Sequence, residues 1–230
     1  MIKALLGVIL LLPVPAEKET FTLSGTVSVV GEVKPPKPNK KVGDDPPCCA
    51  LHPDNLPPLE NLVVDASGGV RWSFVYVRKG LEGKEYEAPK TPVAIDQKGC
   101  LYTPHVVGVQ VGQLVNFQNA DPFLHNVHGL PFANKEFNFG QVKGAVSGVK
   151  FAVPEVPLKV KCDVHPWMAT YLCVVDHPFF SVTDAAGKFE IKGLPAGTYT
   201  LAVWHEGLKF PDQELTVKAN QELQFKTPAP

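Results

Sequence analysis

Methionine is nearly missing from this chain: Met1 and Met168 are the only two in 230 residues. A surface that traps soft metal ions with many thioethers is therefore not available. Charge of one sign is missing too. The 22 Lys and Arg offset the 23 Asp and Glu to leave a net charge of −1, which gives no footprint for nucleic-acid binding. No His-x-His element, P-loop, dinucleotide fingerprint or Ser-His-Asp order occurs, so an enzyme is the least supported class. After the first 16 residues no apolar run is long enough to span a bilayer. Long helical periodicity is lacking as well, whereas 19 glycines and 23 prolines punctuate short apolar segments. That pattern predicts an all-β chain of many strands and turns.

What is present can fold. Hydrophobic residues make up 44% and charged residues 20%, enough for packed cores in one large or two small domains. Met1-Ile2-Lys3, the apolar run Ala4 to Val14 and then Pro15-Ala16 form a basic start, a short apolar stretch and a small-residue cleavage point. Residues 1–16 are read as a signal peptide, which implies a periplasmic or extracellular protein.

Period-2 alternation marks the strands. Phe21, Leu23, Gly25, Val27 and Val29 share one face of a half-buried strand, with Thr22, Ser24, Thr26 and Ser28 on the other. Residues 35–58 hold eight prolines and read as a loop. Further strands are expected over Val70–Val77, Val106–Val111, Val115–Phe117, Val149–Val153 and Leu158–Cys162. The tail adds alternating pairs at Phe189/Ile191, Leu215/Val217 and Leu223/Phe225, with turns at 184–187 and 193–197.

The lone internal methionine closes the run Cys162-Asp163-Val164-His165-Pro166-Trp167-Met168. Upstream lies Asp121-Pro122-Phe123-Leu124-His125-Asn126-Val127-His128. Leu158, Val160 and Cys162 share one strand phase, so Cys162 points inward from a strand end. A thiolate, two imidazoles and a thioether are the donors of a mononuclear type 1 copper centre, the thioether being the weak axial ligand that tunes the potential. Cys162, His165 and Met168 come from one tight loop, and His125 comes from another strand end. The Asn126 N–H is placed to hydrogen-bond the thiolate. Zinc is the competing metal for one Cys and two His, but it has little use for a thioether. Taking Cys162 as a ligand leaves Cys48, Cys49, Cys100 and Cys173. A bridge from Cys48 or Cys49 to Cys100 is expected in an oxidising compartment.

The runs 125–128 and 162–168 resemble those of the cupredoxins, amicyanin- and plastocyanin-like, with a loop length similar to amicyanin. Gly112-Gln113-Leu114-Val115-Asn116-Phe117-Gln118-Asn119 is similar to the strand before the first ligand. The resemblance covers about 91–177. It implies a Greek-key β-sandwich with His125, Cys162 and His165 as equatorial ligands, Met168 as axial ligand, and His165 as the edge through which electrons pass. Where that family often has Ser or Thr after the cysteine, this chain has Asp163. Val182-Thr183-Asp184 to Leu201 resembles a carboxypeptidase-regulatory, transthyretin-like β-sandwich, and Leu23 to Val27 is similar to its first strand. The combination resembles exported bacterial proteins described as methylamine-utilisation-like.

The expected organisation is thus a signal peptide over 1–16, an N-terminal β region with its Pro-rich loop over 17–90, the cupredoxin domain over 91–177 and the small sandwich over 178–230, with 17–90 and 178–230 able to form one split sandwich. The expected function is a one-electron carrier with one type 1 copper cycling between Cu(I) and Cu(II) and a transient redox partner protein. The alternatives are a copper-delivery protein and a structural or adhesive module with accessory copper. His128 should face away from His125. His105 and the Trp204-His205-Glu206 run read as structural, His177-Pro178 as a hinge, Cys49 as a disulfide partner in preference to half of a second metal site with His52, and Trp167 as a docking or packing residue.

Overall fold

The computed structural model describes residues 19–230, so the expected signal peptide lies outside the described residues. The chain is all-β, with only two four-residue helices among the described residues. In chain order the elements are β1 (Thr20–Val30), α1 (Lys40–Gly43), α2 (Pro46–Cys49), β2 (Phe74–Lys79), β3 (Val93–Gln97) and β4 (Tyr102–Thr103). Then follow β5 (Val106–Gln110), β6 (Val115–Asn119), β7 (His125–Leu130), β8 (Phe137–Gln141), β9 (Val146–Val149) and β10 (Glu155–Lys161). The remainder are β11 (Ala169–Val175), β12 (Phe180–Val182), β13 (Lys188–Pro195), β14 (Gly197–Trp204), β15 (Gln213–Val217) and β16 (Gln221–Pro228).

Two sandwiches result. In the first, the sheet β13-β1-β16 faces the sheet β12-β2-β14-β15. The alternating face of β1 buries Leu23, Val27 and Val29 against Val75, Val77, Phe189, Ile191, Leu201 and Phe225. β1 runs antiparallel to β13 and parallel to β16, so residues near the N-terminus are the middle strand of a sheet completed by the tail. In the second, β5-β11-β10-β7-β8 faces β4-β3-β6-β9. Its core contains Ile95, Val115, Phe117, Val127, Leu158, Val160 and Leu172. Fully burying side chains such as Phe117 and Leu158 contributes roughly 1.5–3 kcal/mol each.

The two sandwiches pack against each other. Tyr171, Cys173 and Val175 on the outer face of β11, with Val106 of β5, meet Phe74, Tyr76, Phe180 and Trp204. Gly108 permits this approach: a Cβ there would lie 2.3 Å from Cε2 of Phe180 and 2.8 Å from Cε2 of Phe74. Tyr171 donates its hydroxyl to Glu206 at 2.7 Å, and the His105 ring meets the same carboxylate at 2.9 Å.

Several expected boundaries shift. The strand expected from Val70 begins at Phe74, because Trp72 sits in the left-handed region at φ 65° and cannot continue a ladder. The strand expected over 149–153 lies at Val146–Val149, where it pairs with Val115–Gln118. β13 runs on to Pro195, through the expected turn at 193–197. The Pro-rich stretch is ordered by α1, α2 and a bridge between Pro38 and Pro58. Asp45 caps α2 by accepting the Cys48 N–H at 3.1 Å. Val42, Cys48, Leu51 and Leu56 from this stretch pack into the second core, and Cys48 is disulfide-bonded to Cys100. Cys49 and Cys173 are free, the first half-buried and the second buried.

Candidate metal centre

β10 brings Leu158 and Val160 inward and ends at Lys161, which leaves Cys162 just beyond the strand and 1% exposed. The chain then turns tightly. The Met168 N–H donates to the His165 carbonyl at 2.9 Å, and the Cys162 N–H donates to the Met168 carbonyl at 3.2 Å. That closed loop returns the chain into β11 and buries Met168 completely. His125, the first residue of β7, enters from the neighbouring strand and is also fully buried.

These elements bring a ligand atom each of His125, Cys162 and His165 within 4.8 Å of one another. The two imidazoles face Nδ1 to Nδ1 at 3.0 Å, and the Cys162 sulfur lies 3.6 Å from Nδ1 of His165. Two facing Nδ1 atoms can share only one proton between them, whereas a cation among the three donors satisfies both nitrogen lone pairs and the sulfur. The donor chemistry, one thiol and two imidazoles in a dry pocket with a thioether on the closing loop, fits copper.

Asp121 organises the centre, and nothing in the sequence assigned it a role. Its Oδ2 accepts from His125 Nε2 at 2.8 Å and from the Cys100 N–H at 2.8 Å, while its Oδ1 accepts from the Gly99 N–H at 2.7 Å. An Nε2–H aimed at a carboxylate leaves Nδ1 of His125 free to ligate. Burial works against the charged His125 ring, but the carboxylate of Asp121 and the sulfur of Cys162 outweigh it and push the pKa up to about 9. Burial likewise opposes the Asp121 carboxylate, but His125 and the two N–H groups hold it below the ordinary range. His165 is held below the usual histidine value by burial and by the facing His125.

Burial also opposes the Cys162 thiolate. The His125 side chain and the N–H groups of Asn126, His165 and Val164 outweigh that cost and lower the thiol pKa, favouring the form that ligates metal. The Asn126 side chain braces the ligand loop, accepting the Asp163 N–H at 2.5 Å. The Asp163 carboxylate gathers three neighbours on the outside of the loop. It accepts from Lys161 at 2.8 Å, His128 at 2.9 Å and Asn138 at 3.1 Å. His128 is engaged there and with Glu136, on the face opposite His125. Tyr102, buried beneath the site, donates to the Asn126 carbonyl at 2.6 Å.

The other histidines have structural partners. His52 meets the Gly99 carbonyl at 2.8 Å, and His177 meets the Val77 carbonyl at 2.8 Å. Trp167 lies beside His165, with ring centroids 5.2 Å apart, and donates its indole N–H to the Cys100 carbonyl at 3.1 Å.

A family model described as polysaccharide lyase family 4, domain II, matches residues 142–225. This differs from the expected transthyretin-like resemblance, and the match runs across residue 177, taking in Cys162, His165 and Met168 as well as the tail. No curated protein matches the chain. Solved structures similar over part of it include a copper-containing nitrite reductase from Thermus scotoductus SA-01, at 23% identity and a TM-score of 0.36, covering 41% of this chain and 24% of that one. A purple cupredoxin from Nitrosopumilus maritimus matches at 22% identity and a TM-score of 0.32, covering 36% and 99%. An oxidised proline-to-alanine mutant of amicyanin matches at 22% identity and a TM-score of 0.33, covering 36% and 82%. The chain thus spans about a quarter of the nitrite reductase.

Proposed function

We propose that this protein is an exported one-electron carrier that holds one type 1 copper ion between His125, Cys162, His165 and Met168. The observation that carries the proposal is the convergence of one thiol and two imidazoles, all buried, on a common point. When bound, copper supplies a single redox electron by cycling between Cu(I) and Cu(II).

The residues around it keep that exchange inexpensive in reorganisation. Asp121 fixes the His125 ring, the Asn126–Asp163 contact fixes the turn after Cys162, and the main-chain bonds between Cys162, His165 and Met168 fix the loop. A dry, closed donor set favours a carrier over a delivery protein, which needs an exchangeable site. In this reading residues 91–177 are the copper unit and the sandwich completed by β1 and the tail supports it. Its Glu206 holds Tyr171, three residues after Met168.

The route to a partner passes His165 and Trp167. Beside Trp167 lies an open groove of about 480 Å³ lined by Leu59, Lys37, Lys40 and Lys41. An apolar floor with a lysine rim suits transient docking of a redox protein with an acidic patch. No helix among the described residues is long and apolar enough to cross a membrane. The Cys48–Cys100 bridge agrees with an oxidising compartment outside the cytosol.

The test is a Cu(II) titration followed by visible absorption, with Cys162→Ala as control. The expected result is an intense thiolate-to-copper charge-transfer band that saturates at about one equivalent and is lost in the variant. A folded protein that takes up Cu(II) without such a band would overturn the proposal.

A further inference from the structure

The Cys48–Cys100 disulfide is not remote from the metal centre. Both its sulfurs and a ring nitrogen of His165 lie within 4.8 Å of one another, and all three residues are buried. The Cys100 sulfur is also within 4.8 Å of ligand atoms of Asp121 and His125. The main chain of Cys100 is tied to the same residues: its N–H donates to Asp121, and its carbonyl accepts the indole N–H of Trp167. Cys100 itself is held at φ 55°, in the left-handed region, by these contacts. A bridge that closes 52 residues of chain therefore ends against two imidazoles that have other work to do.

We propose that reduction of this disulfide opens a second Cu(I) site, formed by Cys48, Cys100 and His165. Two thiolates and an imidazole are a soft donor set suited to Cu(I). The redox step uses an external dithiol. Its two S–H groups become a disulfide, the S–S bond between Cys48 and Cys100 breaks, and each of the two cysteines takes up one proton. Binding of Cu(I) then releases both protons to solvent and leaves the oxidation state of the metal unchanged. The attacking thiol enters from the α2 side. α2 is only four residues long and belongs to no sheet, and the neighbouring Cys49 is already half-buried rather than enclosed.

His165 belongs to both donor sets, so a Cu(I) ion held by its ring in the reduced site competes with the set that includes Cys162. A closed centre thereby gains a release route that depends on the thiol state of its surroundings. The second site does not require the first to hold copper, so each can be tested without the other.

The experiment uses the full chain carrying Cys162→Ala, which removes the first site, and Cys49→Ser, which removes the half-buried free thiol beside Cys48. Cu(I) alone is offered anaerobically in competition with a chromophoric Cu(I) chelator, before and after reduction with a phosphine that is then removed. The expected result is no retained Cu(I) in the disulfide form and about one equivalent in the reduced form, with affinity reduced about tenfold or more when His165→Gln is added. No retained Cu(I) after reduction would overturn the proposal. So would Cu(I) binding that His165→Gln leaves unchanged, which is the result expected of two thiols on an unfolded segment.

Discussion

Replacing Asp121 by Asn tests whether the centre is organised in advance of metal binding. Asp121 is 4% exposed, and its two oxygens accept three hydrogen bonds, from Gly99, Cys100 and His125. An amide has one oxygen. Keeping that oxygen toward Cys100 and His125 turns the NH₂ toward the Gly99 N–H and leaves a buried donor unpaired, at about 1–3 kcal/mol. The bond to His125 also loses its ionic partner, and bonds to charged groups contribute roughly 1.5–3 kcal/mol against about 1 for neutral ones. The expected loss is about 2–4 kcal/mol of stability in the metal-free chain, read from the urea midpoint at pH 7. Because Asp121 also sets which nitrogen of His125 is free, Cu(II) affinity should fall about 10–100-fold, measured by competition with a chelator. A variant that loses stability but binds Cu(II) as tightly as the parent would show that Asp121 only holds the Cys100 turn and does not orient His125.

Other consequences follow from the same contacts. His205 is buried with Nδ1 accepting the Gly207 N–H, and burial lowers its pKa from 6.5 to about 4. Below pH 6.5 the unfolded chain binds a proton that the native ring refuses, so this contribution is complete above pH 6.5 and is lost as pH falls toward 4. His205 should by itself remove about 2 kcal/mol between pH 7 and pH 5, read as the difference between the parent and His205→Asn in urea titrations at the two pH values, because His125 with its raised pKa shifts stability the opposite way. Met168→Leu conserves volume and should cost less than about 1.5 kcal/mol, yet voltammetry should show a raised potential, because in the proposed centre Cu(II) loses its axial donor. Gly108→Ala pushes a methyl against Phe180 and Phe74 and should cost about 1–3 kcal/mol in thermal unfolding while leaving Cu(II) affinity intact.

The sequence announced strands that are buried on one face and missed those buried on both. β1 alternates cleanly because its outward Thr and Ser are only half-buried, and the phase of Leu158, Val160 and Cys162 is equally plain. β11 carries no such signal. Leu172 and Val174 enter one core while Tyr171, Cys173 and Val175 enter the contact between sandwiches, so nearly every residue is apolar. Trp72 defeats the pattern differently: its left-handed φ depends on packing that no local propensity encodes. At the candidate centre, donor types and spacing were legible because they lie within seven residues of one loop plus one strand end. Asp121 was not, although it stands four residues before His125. Its role depends on how the turn over 120–124 folds back toward Gly99 and Cys100. The nearness of the disulfide to His165 was hidden for the same reason, since it joins segments 52 residues apart. Asp163 makes contacts that its place in the sequence did not announce: its main-chain N–H is bound by Asn126, and its carboxylate gathers Lys161, His128 and Asn138.

The most direct measurement is X-ray absorption at the copper edge of the loaded chain, comparing the parent with Cys162→Ala. The account predicts about two imidazole nitrogens and one short sulfur in the first shell, with the sulfur contribution absent from the variant. A shell of nitrogen and oxygen alone in the parent, or a sulfur signal that survives removal of Cys162, would contradict it.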